Sequence, residues 1–90
     1  MSKITLYTAT TCIKCPAAKK ILGEVVRELD LREGYDYEIK NIDEGDNIYE
    51  ALQKQVAATP SILIDDELFY NGEVPKKEEI LKILKEKFKK

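Results

Sequence analysis

The sequence predicts an α/β fold in which helices flank a four-stranded mixed sheet, with the element order β-α-β-α-β-β-α. Strand-like runs, in which apolar residues alternate with polar ones or fill the whole run, are interspersed with amphipathic stretches of helical period. The first helical stretch connects two strands that a right-handed crossover makes parallel, whereas two adjacent acidic residues predict a hairpin between the last two strands. Because 90 residues suffice for one core, we expect a single domain over residues 1–90.

The first strand is expected over residues 3–8, because apolar residues recur at alternate positions there and put Ile4 and Leu6 on one face. Helix 1 should begin near Pro16, a residue that suits the first turn of a helix, and end at about residue 31. Its predicted buried side is an apolar stripe of helical spacing, formed by Ala17, Ala18, Ile21, Leu22, Val25, Val26 and Leu29.

The second strand is expected over residues 35–42, and its polar face predicts an exposed or edge strand. A turn at Glu44-Gly45-Asp46 follows it. Asn47 and Glu50 have the spacing of a capping box, which predicts the start of a short second helix. The apolar residues of that helix recur at every fourth position, at Ile48, Leu52 and Val56.

The third strand is expected at Ser61-Ile62-Leu63-Ile64, because a short and almost wholly apolar run is typical of a central strand buried on both faces. The turn at Asp65-Asp66 then leads into a fourth strand over residues 67–71. Gly72 breaks that strand, and a final amphipathic helix is expected over residues 76–88.

Both cysteines of the chain lie between the first strand and helix 1, at the carboxyl end of a parallel strand, where functional sites cluster in such sheets. A helix N-terminus and nearby positive charge favour a thiolate, the nucleophile in disulfide exchange. No acidic residue occurs before Glu24, and three lysines follow the first cysteine closely: Lys14, Lys19 and Lys20. The pattern therefore predicts a thiol–disulfide active site, in which an accessible Cys12 of lowered pKa attacks and a more shielded Cys15 resolves the mixed disulfide.

Other uses of the cysteine pair remain open from the residues alone. A structural disulfide would restrict the unfolded chain little, because it closes a very short loop. A metal carrier is disfavoured, because two cysteines without histidine cannot supply a closed four-ligand zinc site in one monomer, although a site shared between monomers remains an alternative. A further alternative is a binding module without turnover. We expect no metal site and no resident cofactor.

The strand Ile4-Thr5-Leu6-Tyr7-Thr8 followed by Cys12-x-x-Cys15-Pro16-Ala17-Ala18-Lys19 resembles the opening of glutaredoxins and of small archaeal glutaredoxin-like thioredoxins, in the thioredoxin superfamily. Thr59-Pro60 resembles that family's cis-proline site, and Gly72 resembles its glycine before the last helix. The resemblance covers the whole chain. It implies the thioredoxin/glutaredoxin fold and the activity of a protein-disulfide oxidoreductase.

The resemblance also implies the residues of the site. Cys12 would be the nucleophile and Cys15 the resolving thiol. Pro60 would be the cis-proline beside them, and Thr59 would offer backbone hydrogen bonds to an extended substrate. Gly72 would belong to the same substrate-binding site.

Departures from the glutaredoxin pattern guide the expected partners. Ile13 and Lys14 stand where Pro and Tyr usually separate the cysteines, and Ala9 stands where a basic residue is usual. Of the two adjacent glycines with which glutaredoxins bind glutathione, this sequence has only one, Gly72, and Glu73 follows it. Lys14 is the positive group expected to contact a substrate. We therefore expect protein disulfides as substrates and a thioredoxin-reductase-type flavoenzyme as electron donor, with a glutathione-dependent glutaredoxin as the alternative.

Charge and hydropathy argue against nucleic acid and membranes as partners. Residues 76–90 carry seven basic and three acidic side chains, but the lysines alternate with apolar residues at helical spacing, which is typical of a solvated helix face. No apolar run approaches the roughly 18 residues that span a bilayer. Since no signal-peptide core precedes the first strand and a Cys-x-x-Cys pair in a reducing cytosol is more often catalytic than structural, we expect a cytoplasmic location. We also expect a monomer.

Overall fold

A computed structural model describes residues 3–88, which form the seven predicted elements in the predicted order. The ends of the predicted domain, residues 1–2 and 89–90, lie outside the described residues. None of the helices within residues 3–88 is long and apolar enough to cross a membrane. The elements are β1 Ile4–Thr8, α1 Cys15–Glu28, β2 Tyr37–Asn41, α2 Asn47–Gln53, β3 Ser61–Ile64, β4 Glu67–Asn71 and α3 Lys77–Lys87.

The sheet is mixed, as predicted, and has the strand order β2-β1-β3-β4. β1 pairs in parallel with β2, from Ile4 opposite Tyr37 to Thr8 opposite Asn41, and it pairs antiparallel with β3. β2 lies at an edge of the sheet, which confirms the prediction made from its polar face. β3 lies in the interior of the sheet with all four residues buried, which confirms the prediction made from its apolar run.

The predicted hairpin between β3 and β4 is confirmed, and it turns at Asp65 and Asp66, which have φ of 53° and 66°. A two-residue turn that matches the twist of the strands needs positive φ at both positions, and aspartate tolerates that conformation better than most side chains. The hairpin brings Asn71, at the end of β4, opposite Ser61, at the start of β3. The segment that precedes β3 therefore lies beside the end of β4.

Alternate residues of β1 enter two apolar clusters, one on each face of the sheet. Ile4 and Leu6 belong to the larger cluster, with residues of α1 and α3 and of the neighbouring strands: Ala18, Leu22, Val25, Val26, Ile62, Ile64, Tyr70, Ile80 and Leu84. Tyr7 belongs to the smaller cluster on the α2 side, with Ala51, Val56 and Leu63. Because every residue of β1 is buried, this strand is a closely packed base for the loop that follows it and carries Cys12.

α1 ends at Glu28, three residues before the predicted boundary. Asp30 has a φ of 56°. The backbone N–H groups of Asp30 and Leu31 donate to the carbonyl oxygens of Arg27 and Val26, at 3.3 and 2.8 Å. These two bonds satisfy carbonyl groups of the last helical turn, which is the usual arrangement when a left-handed residue ends a helix. The prediction placed the end three residues too late because no glycine marks this position in the sequence, and Asp30 takes the left-handed conformation instead.

The capping box predicted for α2 is wrong. The N-cap residue is Asp46, and its side chain makes no capping hydrogen bond. Asn47 is the first helical residue, and its Nδ2 donates to the carbonyl oxygen of Asn41 at 2.9 Å. The Glu50 carboxylate accepts a hydrogen bond from the Tyr7 hydroxyl at 2.9 Å. Both side chains thus have partners outside the helix, which the local spacing does not reveal.

The apolar stripe predicted for α2 is only partly correct. Ala51 is the buried residue of the helix, whereas Leu52 is 59% exposed. Val56 is buried as predicted, but it lies beyond the end of the helix at Gln53. Because seven residues make only about two turns, α2 presents little apolar surface to the sheet.

A network of alternating lysines and carboxylates joins α2 to β2 and to the β3–β4 turn. Glu50 lies at its centre, because it accepts hydrogen bonds from Lys40 Nζ at 2.8 and 2.9 Å, and Lys54 Nζ lies 3.7 Å away. The remaining N–O distances of the network are 2.6 Å for Lys3–Glu38, 3.4 Å for Lys40–Glu38 and 2.7 Å for Lys54–Asp66. These pairs hold a helix that has one buried side chain of its own.

The network predicts that the free energy of unfolding decreases at low pH. Hydrogen bonding from Lys40 lowers the pKa of Glu50. A carboxylate whose pKa is lower in the folded chain contributes stability above its unfolded pKa, and the contribution is lost as the pH falls through the folded value. We expect Glu50→Gln to lower the free energy of unfolding by about 1 kcal/mol at neutral pH, since the pair is partly exposed, and by much less at about pH 3.

Urea unfolding of both proteins at the two pH values measures these differences. Glutamine keeps an acceptor for the hydroxyl of Tyr7, so the comparison isolates the charge of Glu50. A difference that is equally large in acid would contradict the ion pairs as its source.

Candidate active site

The two cysteines form a disulfide at the junction of β1 and α1, with their Cα atoms 5.4 Å apart. Cys12 lies in the loop and is partly exposed. Cys15 is the first residue of α1 and is only 3% exposed. The positions agree with the predictions that Cys12 precedes the helix and that Cys15, in its first turn, is the more shielded of the two.

The N-terminus of α1 adjoins this pair, because Cys15 is the first residue of the helix. Lys14 is the N-cap residue, its side chain makes no capping hydrogen bond, and Pro16 lies in the first turn. The first turn contains no acidic residue. The positive end of the helix dipole is therefore not neutralised from within the helix, and an anion at the sulfur atoms would be favoured.

Polar contacts from the end of β2 fix the loop that carries Cys12. The Thr10 backbone N–H donates to Asp43 Oδ2 at 2.8 Å, and Asn41 Nδ2 donates to Thr10 Oγ1 at 3.4 Å. The Cys12 N–H also donates to the carbonyl oxygen of Ala9 at 3.2 Å, which closes a turn. Asp43 was not among the predicted site residues. The available signal was that Asp43 follows β2, whose carboxyl end lies beside that of β1.

A second loop, residues 57–60, contributes Thr59 and Pro60. The Thr59–Pro60 peptide bond is cis, as the family resemblance implied. The Gly72 backbone N–H donates to the carbonyl oxygen of Pro60 at 2.8 Å, which ties this loop to the end of β4. Thr59 is partly exposed, whereas Pro60 is buried.

The two loops border one open depression of about 330 Å³. It is lined by Ala9, Thr11, Cys12, Ile13, Lys14, Thr59 and Gly72. Four of the six predicted site residues thus line it together, whereas the buried Cys15 and Pro60 do not. Ile13, which follows Cys12 in the chain, is 94% exposed, so the site presents an apolar side chain as well as a lysine.

This arrangement allows the Cys12–Cys15 disulfide to be reduced to a dithiol and to form again. Cys12 borders the depression, and the sulfur atom of Cys15 is bonded to that of Cys12 but is shielded by the protein. A thiolate at the first position can attack an incoming disulfide, and the second can then displace the product. Within residues 3–88, no group of three or more histidine, cysteine or acidic side chains could hold a metal ion.

Comparison with known sequences supports the same chemistry. Residues 2–85 match the family model described as a thioredoxin domain. The chain is 42% identical over 84 residues to a thioredoxin of Methanothermobacter thermautotrophicus, which covers 93% of this chain and 99% of that protein. It is 32% identical over 85 residues to a thioredoxin of Methanocaldococcus jannaschii, which covers 94% of each chain.

Comparison with solved structures agrees with the fold. An uncharacterised thioredoxin-like protein from Clostridium perfringens superposes with a TM-score of 0.72 at 26% identity, over 96% of this chain and 70% of that one. The likeness includes the mixed sheet of four strands and its helices, which confirms the fold class predicted from the sequence.

Proposed function

We infer that this chain, which belongs to the thioredoxin family, reduces protein disulfides with Cys12 as the attacking thiolate and Cys15 as the resolving thiol. That it is a thiol–disulfide oxidoreductase follows from its family and its Cys-x-x-Cys pair. The observation that carries the division of roles is the difference in exposure: Cys12 lines the open depression, whereas Cys15 is 3% exposed. A disulfide of another protein can reach the first sulfur directly but not the second.

The proposed reaction transfers two electrons and two protons from the dithiol to the substrate. The thiolate of Cys12 attacks one sulfur of the substrate disulfide, so the substrate S–S bond breaks and the other substrate sulfur leaves as a thiolate. Cys15 then loses its proton and attacks the sulfur of Cys12. The mixed disulfide breaks, the second substrate thiolate leaves, and the Cys12–Cys15 disulfide forms. Protons from solvent complete the two substrate thiols.

The lining of the depression supports an extended protein segment as the substrate. Thr59 and Gly72 border the same space as Cys12. A substrate segment that lies along Thr59 could pair with its backbone as an added strand does. Lys14 is exposed at the helix N-terminus, where it is available to substrate carbonyl or carboxylate groups. Pro60 is buried, so we assign it to the support of Thr59 rather than to direct contact.

We propose a thioredoxin-reductase-type flavoenzyme as the electron donor. Glutathione carries two carboxylates, and Ala9 gives the depression no cation at the position where glutaredoxins have one. The exposed Ile13 suits the apolar surface of a protein partner better than it suits a charged tripeptide. Both named relatives are thioredoxins, which does not favour the glutathione-dependent alternative. We further propose a cytoplasmic monomer that acts apart from membranes and nucleic acid.

Side-by-side assays test the donor. In one, NADPH and a thioredoxin-reductase-type flavoenzyme drive the reduction of insulin. In the other, glutathione and glutathione reductase drive the reduction of a glutathione mixed disulfide. We expect turnover in the first and a rate close to that of the protein-free control in the second. Efficient turnover in the second assay alone would assign the protein to the glutaredoxins instead.

A further inference from the structure

We propose that Asn71 is a positioning residue for disulfide reduction, because its side chain holds the loop of residues 57–60 that presents Thr59 to the substrate. Asn71 is the last residue of β4. Its carboxamide oxygen accepts hydrogen bonds from the backbone N–H groups of Ala57 and Ala58, both at 3.1 Å. The inference rests on the proposed function, since it concerns how the same site receives its substrate.

The contacts around Asn71 fix the backbone on both sides of Thr59. The two N–H groups that it accepts lie immediately before Thr59. The Ser61 hydroxyl donates to the carbonyl oxygen of Ala58 and also lies 3.3 Å from Asn71 Oδ1. The Gly72 N–H holds the carbonyl oxygen of Pro60 at 2.8 Å, directly after Thr59. The loop of residues 57–60 is therefore held by two groups at and just after the end of β4, namely the Asn71 side chain and the Gly72 backbone N–H.

The two residues whose N–H groups bind Asn71 have no side-chain groups that could fix their own backbone. Ala57 and Ala58 are both exposed, and their methyl side chains offer no polar group. Without the carboxamide oxygen, their N–H groups would bond to water and the backbone before Thr59 would be free to rotate. An incoming strand would then have to order that backbone as it binds, which raises the cost of association.

A positioning role differs from general stabilisation in what it changes. The reacting atoms of Cys12 and Cys15 belong to the other loop and to α1. Loss of the Asn71 contacts should therefore weaken the binding of a protein substrate and leave the exchange step itself unchanged. It should also leave the alkylation of reduced Cys12 by iodoacetamide unchanged, because that small reagent needs no backbone pairing.

Three variants distinguish a positioning role of Asn71 from a general effect on stability. Asn71→Ala removes the acceptor, whereas Asn71→Asp keeps an oxygen in the same place. Tyr70→Phe is the matched control, because it removes the hydrogen bond from the neighbouring Tyr70 hydroxyl to Glu79, at 2.7 Å, and leaves the loop contacts intact. For each variant we would measure amide hydrogen exchange at Ala57 and Ala58, steady-state reduction of insulin, alkylation of Cys12 and the melting temperature.

We expect Asn71→Ala to raise both the exchange rates at the two alanines and the KM for insulin by about 5- to 30-fold, as the loss of two hydrogen bonds predicts, with kcat and the alkylation rate within about twofold of wild type. Asn71→Asp should restore slow exchange and the lower KM. Tyr70→Phe should lower the melting temperature without changing either quantity.

Two results would overturn the inference: an unchanged KM in Asn71→Ala, or an equal rise of KM in Tyr70→Phe. Failure of the proposed function would look different, because the wild type itself would then not reduce insulin. The exchange rates at Ala57 and Ala58 report whether the hydrogen bonds to Asn71 are present in either case, since hydrogen exchange requires no turnover.

Discussion

Replacement of Cys12 by serine is expected to abolish disulfide reduction, with a loss of turnover by a factor of about 10³ or more. A serine hydroxyl at neutral pH is a far weaker nucleophile than a thiolate, and it cannot form the mixed disulfide. Cys12 is the cysteine that borders the depression, whereas Cys15 is buried and cannot take over the attack on a protein substrate. The reduction of insulin by a coupled reductase measures the effect.

The stability of Cys12→Ser serves as its control. The substitution exchanges a sulfur for an oxygen at a partly exposed loop position, so the melting temperature should stay close to that of the reduced wild type. Turnover that survives in a folded Cys12→Ser protein would show that the roles of the two cysteines are assigned wrongly.

Gly72→Ala is expected to have the largest effect on stability among single substitutions at the site. Gly72 has a φ of 81°, and a Cβ atom added there would lie 2.8 Å from the Cβ of Ala58. Left-handed backbone costs a non-glycine residue about 1–3 kcal/mol, and relief of the contact must move the loop that carries Thr59. We therefore expect the free energy of unfolding to fall by at least about 2 kcal/mol and the KM for a protein disulfide to rise.

Two other glycines separate the causes. Gly34 has a φ of 90° and space for a Cβ atom, so Gly34→Ala should show the backbone strain without the contact. Gly23 lies inside α1 with no neighbour in the way, so Gly23→Ala should stabilise the protein by about 0.5–1 kcal/mol. Urea unfolding measures all three. A loss at Gly72 no greater than the loss at Gly34 would contradict a role for the contact with Ala58.

The sequence predicted the parts of the fold that local pattern determines. The run from Ser61 to Ile64 indicates a buried central strand because apolar side chains occupy both of its faces. The pair Asp65-Asp66 indicates a hairpin because a short turn needs residues that tolerate positive φ. Cys12 and Cys15 mark the site because their spacing and their place before a helix are local features as well.

The sequence could not predict contacts between distant polar groups. Glu50 has the spacing of a capping residue, yet in the fold it binds Tyr7 and Lys40. Asp43 and Asn71 hold the backbone of the two site loops across separations of 33 and 14 residues. A single hydrogen bond between a side-chain oxygen and a distant backbone N–H group leaves no periodic pattern in the sequence, so only the fold reveals it.

The most direct test of the proposed mechanism is a trapping experiment with mass spectrometry. Reduced Cys15→Ser and reduced Cys12→Ser are each mixed with a substrate made of two peptide chains joined by a single disulfide, and the covalent adducts are identified. If Cys12 attacks and Cys15 resolves, Cys15→Ser accumulates a stable mixed disulfide between Cys12 and one peptide chain while the other chain leaves as a thiol, and Cys12→Ser accumulates none. An adduct on Cys15 in the Cys12→Ser protein, with none on Cys12 in its counterpart, would contradict the mechanism.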